Sequence, residues 1–181
     1  MHLGLPLIIV AALLAPSPVL AQGNTASTPV KRGEYLVTIG SCHDCHTPLA
    51  MGPDGPAPDM KRALSGHPQN MEVKAPANAS GPWMGAFSST LTAWSGPWGV
   101  SFSANLTPDG ETGILRDFTE QQFIQTLRNG RHQGQGRQIL PPMPWQFIGQ
   151  MTDDDLKAVF AYLRKIPAVK NKVPDPIPPA K

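Results

Sequence analysis

Two cysteines and two histidines stand within five consecutive residues, Cys42-His43-Asp44-Cys45-His46, and the 181-residue sequence has no further cysteine. The spacing C-x-x-C-H is the attachment sequence of c-type haem. Each thiol could bond one vinyl group, and the two-residue gap allows both thiols to reach one porphyrin edge. His46 would then lie below the iron as its proximal axial ligand. The motif therefore predicts one covalently bound haem c, held through Cys42 and Cys45.

Three other kinds of site stay open for these residues. A zinc site needs four nitrogen or sulfur ligands, commonly as two spaced pairs, and the second pair would have to be His67 and His132, which lack that spacing. A redox dithiol is typical of a βαβ unit, whereas the flanking sequence has no strand–helix–strand pattern. A structural disulfide would leave the position of His46 unexplained. Haem attachment accounts best for the whole motif.

Met143 is the second candidate iron ligand, within Pro141-Pro142-Met143-Pro144-Trp145. Prolines fix φ, so this methionine lies on a stiff extended segment. A thioether is a weak ligand, and one that is already positioned loses less entropy on coordination. Met143 is therefore predicted as the second axial ligand, and methionine opposite histidine raises the reduction potential relative to two histidines. Two alternatives stay open, since Met143 could fill a gap in the core and His132 could take the sixth position.

Further side chains are candidates for the haem pocket or for the sixth position. Asn105 opens a turn cluster, and its amide could bond its own backbone or a haem propionate. Trp145 follows the predicted methionine ligand, and His132 could bond a propionate. The remaining candidates for the sixth position are His67, Met51, Met60, Met71, Met84 and Met151.

Three helices are predicted to position these residues. The first covers Val30 to Ser41 and leads directly into Cys42. The second begins after Thr119, where Gln122 completes a capping box, and ends at Gly130 in the left-handed conformation. The third begins after Thr152, with acidic residues in its first turn, and ends before Pro167. Asp155 is expected to complete a capping-box-like arrangement with Thr152.

A long insert, residues 50–104, separates the predicted haem motif from the second helix. It is rich in Pro, Gly and aromatic residues, and structureless loops of such length are uncommon in compact domains. We expect it to wrap the haem or to dock a partner. Short strands are predicted at Ala86–Leu91 and Val100–Ser103. Its large aromatic residues are Trp83, Phe87, Trp94, Trp98 and Phe102.

The chain ends complete the predicted organisation. Residues 1–21 contain an apolar run too short for a membrane span and fit a secretory signal peptide, although an uncleaved anchor stays open. Residues 22–29 are a polar leader, expected to be disordered. The domain would cover 30–173. Residues 174–181 form a Pro-rich tail, typical of a dangling chain end or of a tether to a partner.

Composition restricts the class of partner. Only 15% of the residues are charged and the formal net charge is +2, which argues against nucleic acid because such binding usually needs a strongly basic face. The 21 prolines and 17 glycines predict a modest helical core with long irregular loops. A buried cofactor would supply apolar contacts that such a chain lacks.

Taken together, these motifs resemble the monohaem class I c-type cytochromes over roughly residues 30–166. The resemblance is closer to periplasmic cytochrome c subunits of bacterial dehydrogenases. It implies a mainly α fold of about three core helices around one haem, with the long loop insert. It implies that the first and last helices cross where Gly33 or Tyr35 meets Tyr162, and that His46 and Met143 are the axial ligands. Such subunits often carry two or three haems, whereas this chain has one attachment motif.

The expected function is electron transfer in the periplasm, with iron cycling between Fe(II) and Fe(III). A chain of this kind would pass electrons from a dehydrogenase or quinol system to a terminal acceptor, with a dehydrogenase or oxidase as redox partner. It would have no substrate site and no stable membrane span once the signal is cleaved, and it would not be an enzyme by itself. The alternatives are a fixed relay subunit of a dehydrogenase complex and a haem enzyme or gas sensor with a displaceable Met143.

Overall fold

The structure, a computed structural model, describes residues 28–73 and 82–179. The expected signal segment 1–21, most of the leader 22–29 and the last two residues of the tail lie outside these ranges. The described chain contains five α-helices, α1 Pro29–Ile39, α2 Cys42–His46, α3 Glu120–Asn129, α4 Trp145–Ile148 and α5 Asp153–Leu163. Its five strands are β1 Leu49–Gly52, β2 Gly55–Pro58, β3 Ala86–Phe87, β4 Ala93–Gly96 and β5 Gly99–Phe102. None of the described helices has the length and apolar character needed to cross a membrane.

Helices α1 and α5 cross at Gly33. A Cβ atom at Gly33 would lie 2.0 Å from the carbonyl oxygen of Ala158 and 2.7 Å from the Cβ of Tyr162. Such close approach is possible only because glycine has no side chain. The expected crossing is therefore confirmed with Gly33 at the contact, whereas Tyr35 is exposed and lies under the Arg32 guanidinium.

The three predicted helices correspond to α1, α3 and α5, and α3 and α5 begin at the predicted N-caps. Helix α3 has the full capping box between Thr119 and Gln122, and Gly130 ends it with a φ of 69°. Helix α5 begins after Thr152, whose hydroxyl accepts a hydrogen bond from the Asp155 N–H. The Asp155 carboxylate accepts a 2.9 Å hydrogen bond from Arg32 Nε on α1. The buried apolar cluster combines residues of these helices with Leu64 and Leu115 from the connecting segments, and its helical members are Leu36, Val37, Phe123, Ile124, Leu127, Leu156, Ala158, Val159 and Leu163.

The insert folds into a β1–β2 hairpin and an antiparallel sheet in the order β3-β4-β5. The expected strand over 86–91 is too long, because the Ser88 hydroxyl accepts bonds from the N–H groups of Thr92 and Ala93 and turns the chain there. Strand β4 was not predicted, since its Ser-Gly end and the following Pro97 resemble a turn. The described chain thus combines five α-helices with five short strands.

The chain after α5 is extended and packs along the rest of the domain. Val100 on β5 and Ile177 exchange two backbone hydrogen bonds, with N–O distances of 2.8 and 3.0 Å. Upstream, the Asn171 side chain donates to the carbonyl oxygens of Ser65 and His67. The expectation of a dangling tail is therefore wrong for residues 174–179, because the backbone there pairs with β5.

Candidate haem site

An apolar cavity lies between the helical core and the β3-β4-β5 sheet. It encloses about 1090 Å³ of empty space, counting the part open to solvent. Both cysteines, His46 and Met143 line it. The structure therefore brings the two predicted attachment thiols and the two predicted axial ligands to one apolar cavity, the kind of concave site in which cofactors usually bind.

Helix α2 explains how three residues of the motif reach the same wall. Positions i, i+3 and i+4 of a helix lie on one face, and Cys42, Cys45 and His46 have that spacing. The turn before them is made by Ser41, whose φ of 55° places it in the left-handed region. This single turn separates α1 from α2, and it directs the face of α2 that carries Cys42, Cys45 and His46 toward the cavity.

The His46 ring is held by one defined contact. Its Nδ1 lies 2.9 Å from the carbonyl oxygen of Ala104, so the N–H at Nδ1 donates and Nε2 carries the lone pair. Burial lowers the pKa of His46, which favours the neutral imidazole. Metal-ligating histidines usually donate their second ring N–H in this way, which fixes the tautomer and the ring orientation.

Both cysteines are free thiols, so the structure does not contain the disulfide considered above. Burial raises the pKa of Cys42 to about 11 and also raises the pKa of Cys45. Both sulfur atoms face an apolar space where a hydrophobic macrocycle edge could pack.

Residues directly after the motif anchor it to the insert. The Thr47 hydroxyl accepts a 2.9 Å hydrogen bond from the N–H of Leu64 and lies 2.8 Å from Nδ1 of His43. The carbonyl oxygen of His46 accepts a 2.8 Å bond from the N–H of Gly66. Thr47 is fully buried, and its role was not predicted because a threonine before proline carries no signal beyond helix termination.

Met143 is partly buried against the helical core. Its segment is tied to β5, since the Ser101 hydroxyl donates a 2.5 Å hydrogen bond to the carbonyl oxygen of Pro141. Among the described methionines, Met143 alone lines the cavity. Met51, Met60 and Met84 are 82%, 62% and 71% exposed, and Met151 packs against the core beside Gly40.

The two remaining histidine candidates behave differently. His67 is fully buried, and its ring nitrogens bond the Thr92 hydroxyl and the Met71 carbonyl, so neither nitrogen is available to a metal. His132 lines the cavity, and burial together with the charge of Arg137 lowers its pKa to about 4. The structure thus leaves His132 and Met143 as the two donors on the wall.

The described residues contain no cluster of three His, Cys, Asp or Glu side chains suited to a metal ion.

Trp145 and Asn105, proposed above for the pocket, are placed elsewhere. The Trp145 indole packs against Gly130, where a Cβ atom would lie 2.3 Å from its Cε2. Asn105 is buried, and its side-chain oxygen accepts bonds from the N–H and hydroxyl of Thr107, while its amide donates to the carbonyl oxygen of Val169. The interpretation of Asn105 as a backbone-bonding residue is therefore correct, and the interpretation as a propionate ligand is not supported.

The insert supplies one wall of the cavity. Trp94 and Phe102 line it, whereas Trp98 donates to the Ser101 hydroxyl within its own hairpin. Trp83 and Phe87 are 75% and 68% exposed. Of these five aromatic residues of the insert, two therefore line the cavity, one bonds within its own hairpin and two lie on the surface.

The residues present fit a haem of the c type. Cys42 and Cys45 would hold its vinyl edge, and His46 would bind the iron through Nε2. The apolar lining would enclose the macrocycle, and either Met143 or His132 would approach from the wall formed by residues 132–143.

Comparisons with known proteins agree with this fit. The chain is 30% identical over 151 residues to the cytochrome c subunit of the quinone alcohol dehydrogenase of Gluconobacter oxydans, with 81% of this chain and 24% of that protein covered. It is 29% identical over 177 residues to the fructose dehydrogenase cytochrome subunit of Gluconobacter japonicus, covering 91% and 29%. It is 27% identical over 143 residues to the gluconate 2-dehydrogenase cytochrome c subunit of Pantoea cypripedii, covering 79% and 24%. No family model matches the chain.

The comparisons confirm that this chain resembles the cytochrome c subunits of bacterial dehydrogenases. The chain spans about a quarter of the length of these relatives. This chain therefore corresponds to a part of each relative, whereas the alignments cover most of this chain.

Proposed function

We propose that this chain is a single-haem electron-transfer protein that carries one electron at a time between Fe(II) and Fe(III). It would accept electrons from a dehydrogenase or quinol system and pass them to a terminal acceptor. The chain would act in the periplasm, to which residues 1–21 would direct it.

One observation carries the proposal: Cys42, Cys45, His46 and Met143 line the same apolar cavity. A bound haem would supply the one-electron chemistry, and its potential depends on axial ligands and burial. His46 would present Nε2 in a fixed orientation, because Nδ1 donates to Ala104. Met143 would offer a second ligand to the iron from a segment fixed by Ser101. The apolar walls would exclude water and favour the less charged state of the cofactor.

The direct experiment is to export the full chain in a host with a working c-type maturation system and to record reduced and oxidised spectra. A c-type α-band that persists after acidified organic extraction is expected, since thioether bonds retain the pigment. The variant Cys42→Ala/Cys45→Ala should lose covalent pigment. Colourless wild-type protein, or pigment that extracts completely, would refute the proposal. Carbon monoxide binding by the reduced wild-type protein at neutral pH would instead favour a gas-binding haem protein with a displaceable sixth ligand.

A second candidate function is a fixed relay within a dehydrogenase complex. It is favoured by the relatives, which are named as subunits of dehydrogenases. Isolation of the tagged chain from its native membranes and periplasm separates the two possibilities. Stoichiometric recovery with a dehydrogenase supports the relay, and recovery of the haem-containing chain alone supports a shuttle.

A further inference from the structure

Arg137 is the single formally charged side chain on the described cavity wall. The other lining residues are apolar, aromatic, hydroxyl-bearing, cysteine or histidine side chains. His132, beside it, is mainly neutral near pH 7 because burial lowers its pKa to about 4. The cavity therefore presents one positive charge in an otherwise uncharged lining.

The guanidinium of Arg137 has no ion-pair partner among residues 28–73 and 82–179. None of the ion pairs within the described residues includes it. Among the described residues, the carboxylate that acts on Arg137 is Asp175, whose charge raises the pKa of Arg137 while the larger effect, partial burial against the wall, lowers that pKa. Arg137 as a whole residue is exposed, so its guanidinium can still accept a further anionic group beside the cavity.

The backbone holds Arg137 in place. The N–H of His132 donates a 3.0 Å hydrogen bond to the carbonyl oxygen of Arg137, and Arg131 pairs with Gln138 in a β-bridge. Pro176, which follows Asp175, also lines the cavity. Arg137 therefore belongs to the polar loop 131–138, close to the docked C-terminal segment, in a part of the chain distinct from α2.

We propose that Arg137 binds a propionate of the haem as the carboxylate-recognition group of this cavity. This inference rests on the proposed haem. In haem the propionates occupy the edge opposite the vinyl groups, so thioethers at Cys42 and Cys45 direct the carboxylates away from α2. A guanidinium forms bidentate hydrogen bonds with a carboxylate. The two propionate carboxylates are the only ionised groups at the porphyrin periphery.

The test compares holoproteins Arg137→Gln, Arg137→Lys and the matched control Arg131→Gln. Arg131 belongs to the same loop, does not line the cavity and donates to the Gly136 carbonyl. Covalent haem is first measured in each variant by its spectrum after acidified organic extraction. The midpoint potential is then measured by redox titration from about pH 5 to about pH 8, where a free carboxyl with a pKa raised by an apolar site titrates.

We expect the wild-type potential to be nearly independent of pH in this range, because the paired propionate stays ionised. In Arg137→Gln the potential should be lower near pH 8, since a positive charge that favours Fe(II) is gone. It should rise as pH falls, because the propionate then takes up a proton. Arg137→Lys should keep most of the wild-type potential, and Arg131→Gln should match wild type.

Asp175 and His132 are the other titratable groups that face Arg137, and the charge of Arg137 itself helps to lower the pKa of His132. Two double variants therefore separate them from the propionate, Arg137→Gln/Asp175→Asn and Arg137→Gln/His132→Asn. The new pH dependence should persist in both. If it disappears in either one, the deleted side chain is the titrating group and the inference is wrong. Unchanged potentials in a fully haem-loaded Arg137→Gln protein also overturn it, whereas absence of covalent haem from wild type overturns the proposed function instead.

Discussion

The Nδ1 atom of His46 lies 2.9 Å from the carbonyl oxygen of Ala104, a residue 58 positions away in the sequence. This contact joins the haem-binding motif to the end of the insert. Because a carbonyl accepts only, it fixes the tautomer in which Nε2 is free to bind iron. The insert therefore orients the proposed proximal ligand as well as forming a cavity wall.

Thr47→Val should destabilise the holoprotein, since it removes the hydroxyl that accepts from the buried N–H of Leu64. A buried donor left without a partner costs about 1–3 kcal/mol, and that is the expected decrease in the free energy of unfolding by urea. Thr38→Val is the control, because that hydroxyl bonds the Glu34 carbonyl within the exposed part of α1. Equal effects of both substitutions would mean that the Thr47 contact contributes nothing particular.

Gly33→Ala should separate α1 from α5. Its Cβ would lie 2.0 Å from the Ala158 carbonyl oxygen, and since this neighbour is backbone, the helices have to move apart. Overpacking of this kind costs about 1–3 kcal/mol, measurable as a lower urea midpoint. Gly110→Ala provides the comparison, because nothing lies within 4 Å of a Cβ atom there. A Gly33→Ala protein as stable as wild type would exclude the tight crossing.

Local sequence signals predicted the helices and much of the candidate site. The caps at Thr119 and Thr152 and the end at Gly130 depend on neighbouring residues only, so the sequence reveals them. The spacing of Cys42, Cys45 and His46 is equally local, because one helical turn places all three on one face.

The contacts that were not predicted depend on backbone groups distant in sequence. The partner of His46 is a carbonyl oxygen, which every residue possesses, so Ala104 carries no side-chain signal. Asn105 was correctly interpreted as a backbone-bonding residue, but its bond to Val169 required knowledge of where the C-terminal segment runs. Proline content suggested a free tail, although proline also suits an extended chain that pairs at a sheet edge.

Asn171→Ala should loosen the C-terminal segment from the insert. The Asn171 amide donates to the carbonyl oxygens of Ser65 and His67, and its side-chain oxygen accepts from the N–H of Gln69. Loss of these buried partners should lower the free energy of unfolding by about 1–3 kcal/mol. Asn70→Ala, at the exposed position that follows Gln69 in the insert, should change it by less than about 0.5 kcal/mol. Similar losses for both variants would argue against the anchoring role of Asn171.

His67 should make stability depend on pH in the mildly acidic range. Burial lowers the pKa of His67, partly offset by the bond to the Met71 carbonyl. The unfolded chain therefore takes up a proton near the ordinary histidine pKa of about 6.5 before the folded chain does. The stability contributed by neutral His67 is complete above that pH and decreases as pH falls below it, by at most about 1.4 kcal/mol per pH unit.

The variant His67→Gln isolates this effect, because all other titrating groups are common to both proteins. The difference in unfolding free energy between wild type and variant should be constant from about pH 7 to 8 and should shrink toward about pH 5. Urea unfolding at each pH measures it. A difference that stays constant over the whole range would show that His67 does not titrate as its burial requires.

Met143 and His132 are the two possible donors on the cavity wall, and their variants should differ in spectrum and potential. Met143→Ala should remove the weak far-red absorption band of methionine ligation from the oxidised protein and allow carbon monoxide to bind the reduced protein. Met143→His should retain a six-coordinate iron at a lower potential, because two histidines favour Fe(III) more than histidine with methionine does. His132→Asn and Met51→Ala, the latter at an 82% exposed position, should keep the band and resist carbon monoxide. If His132→Asn opens the iron while Met143→Ala leaves the spectrum unchanged, the sixth ligand is His132, and Met143 is a packing residue of the core.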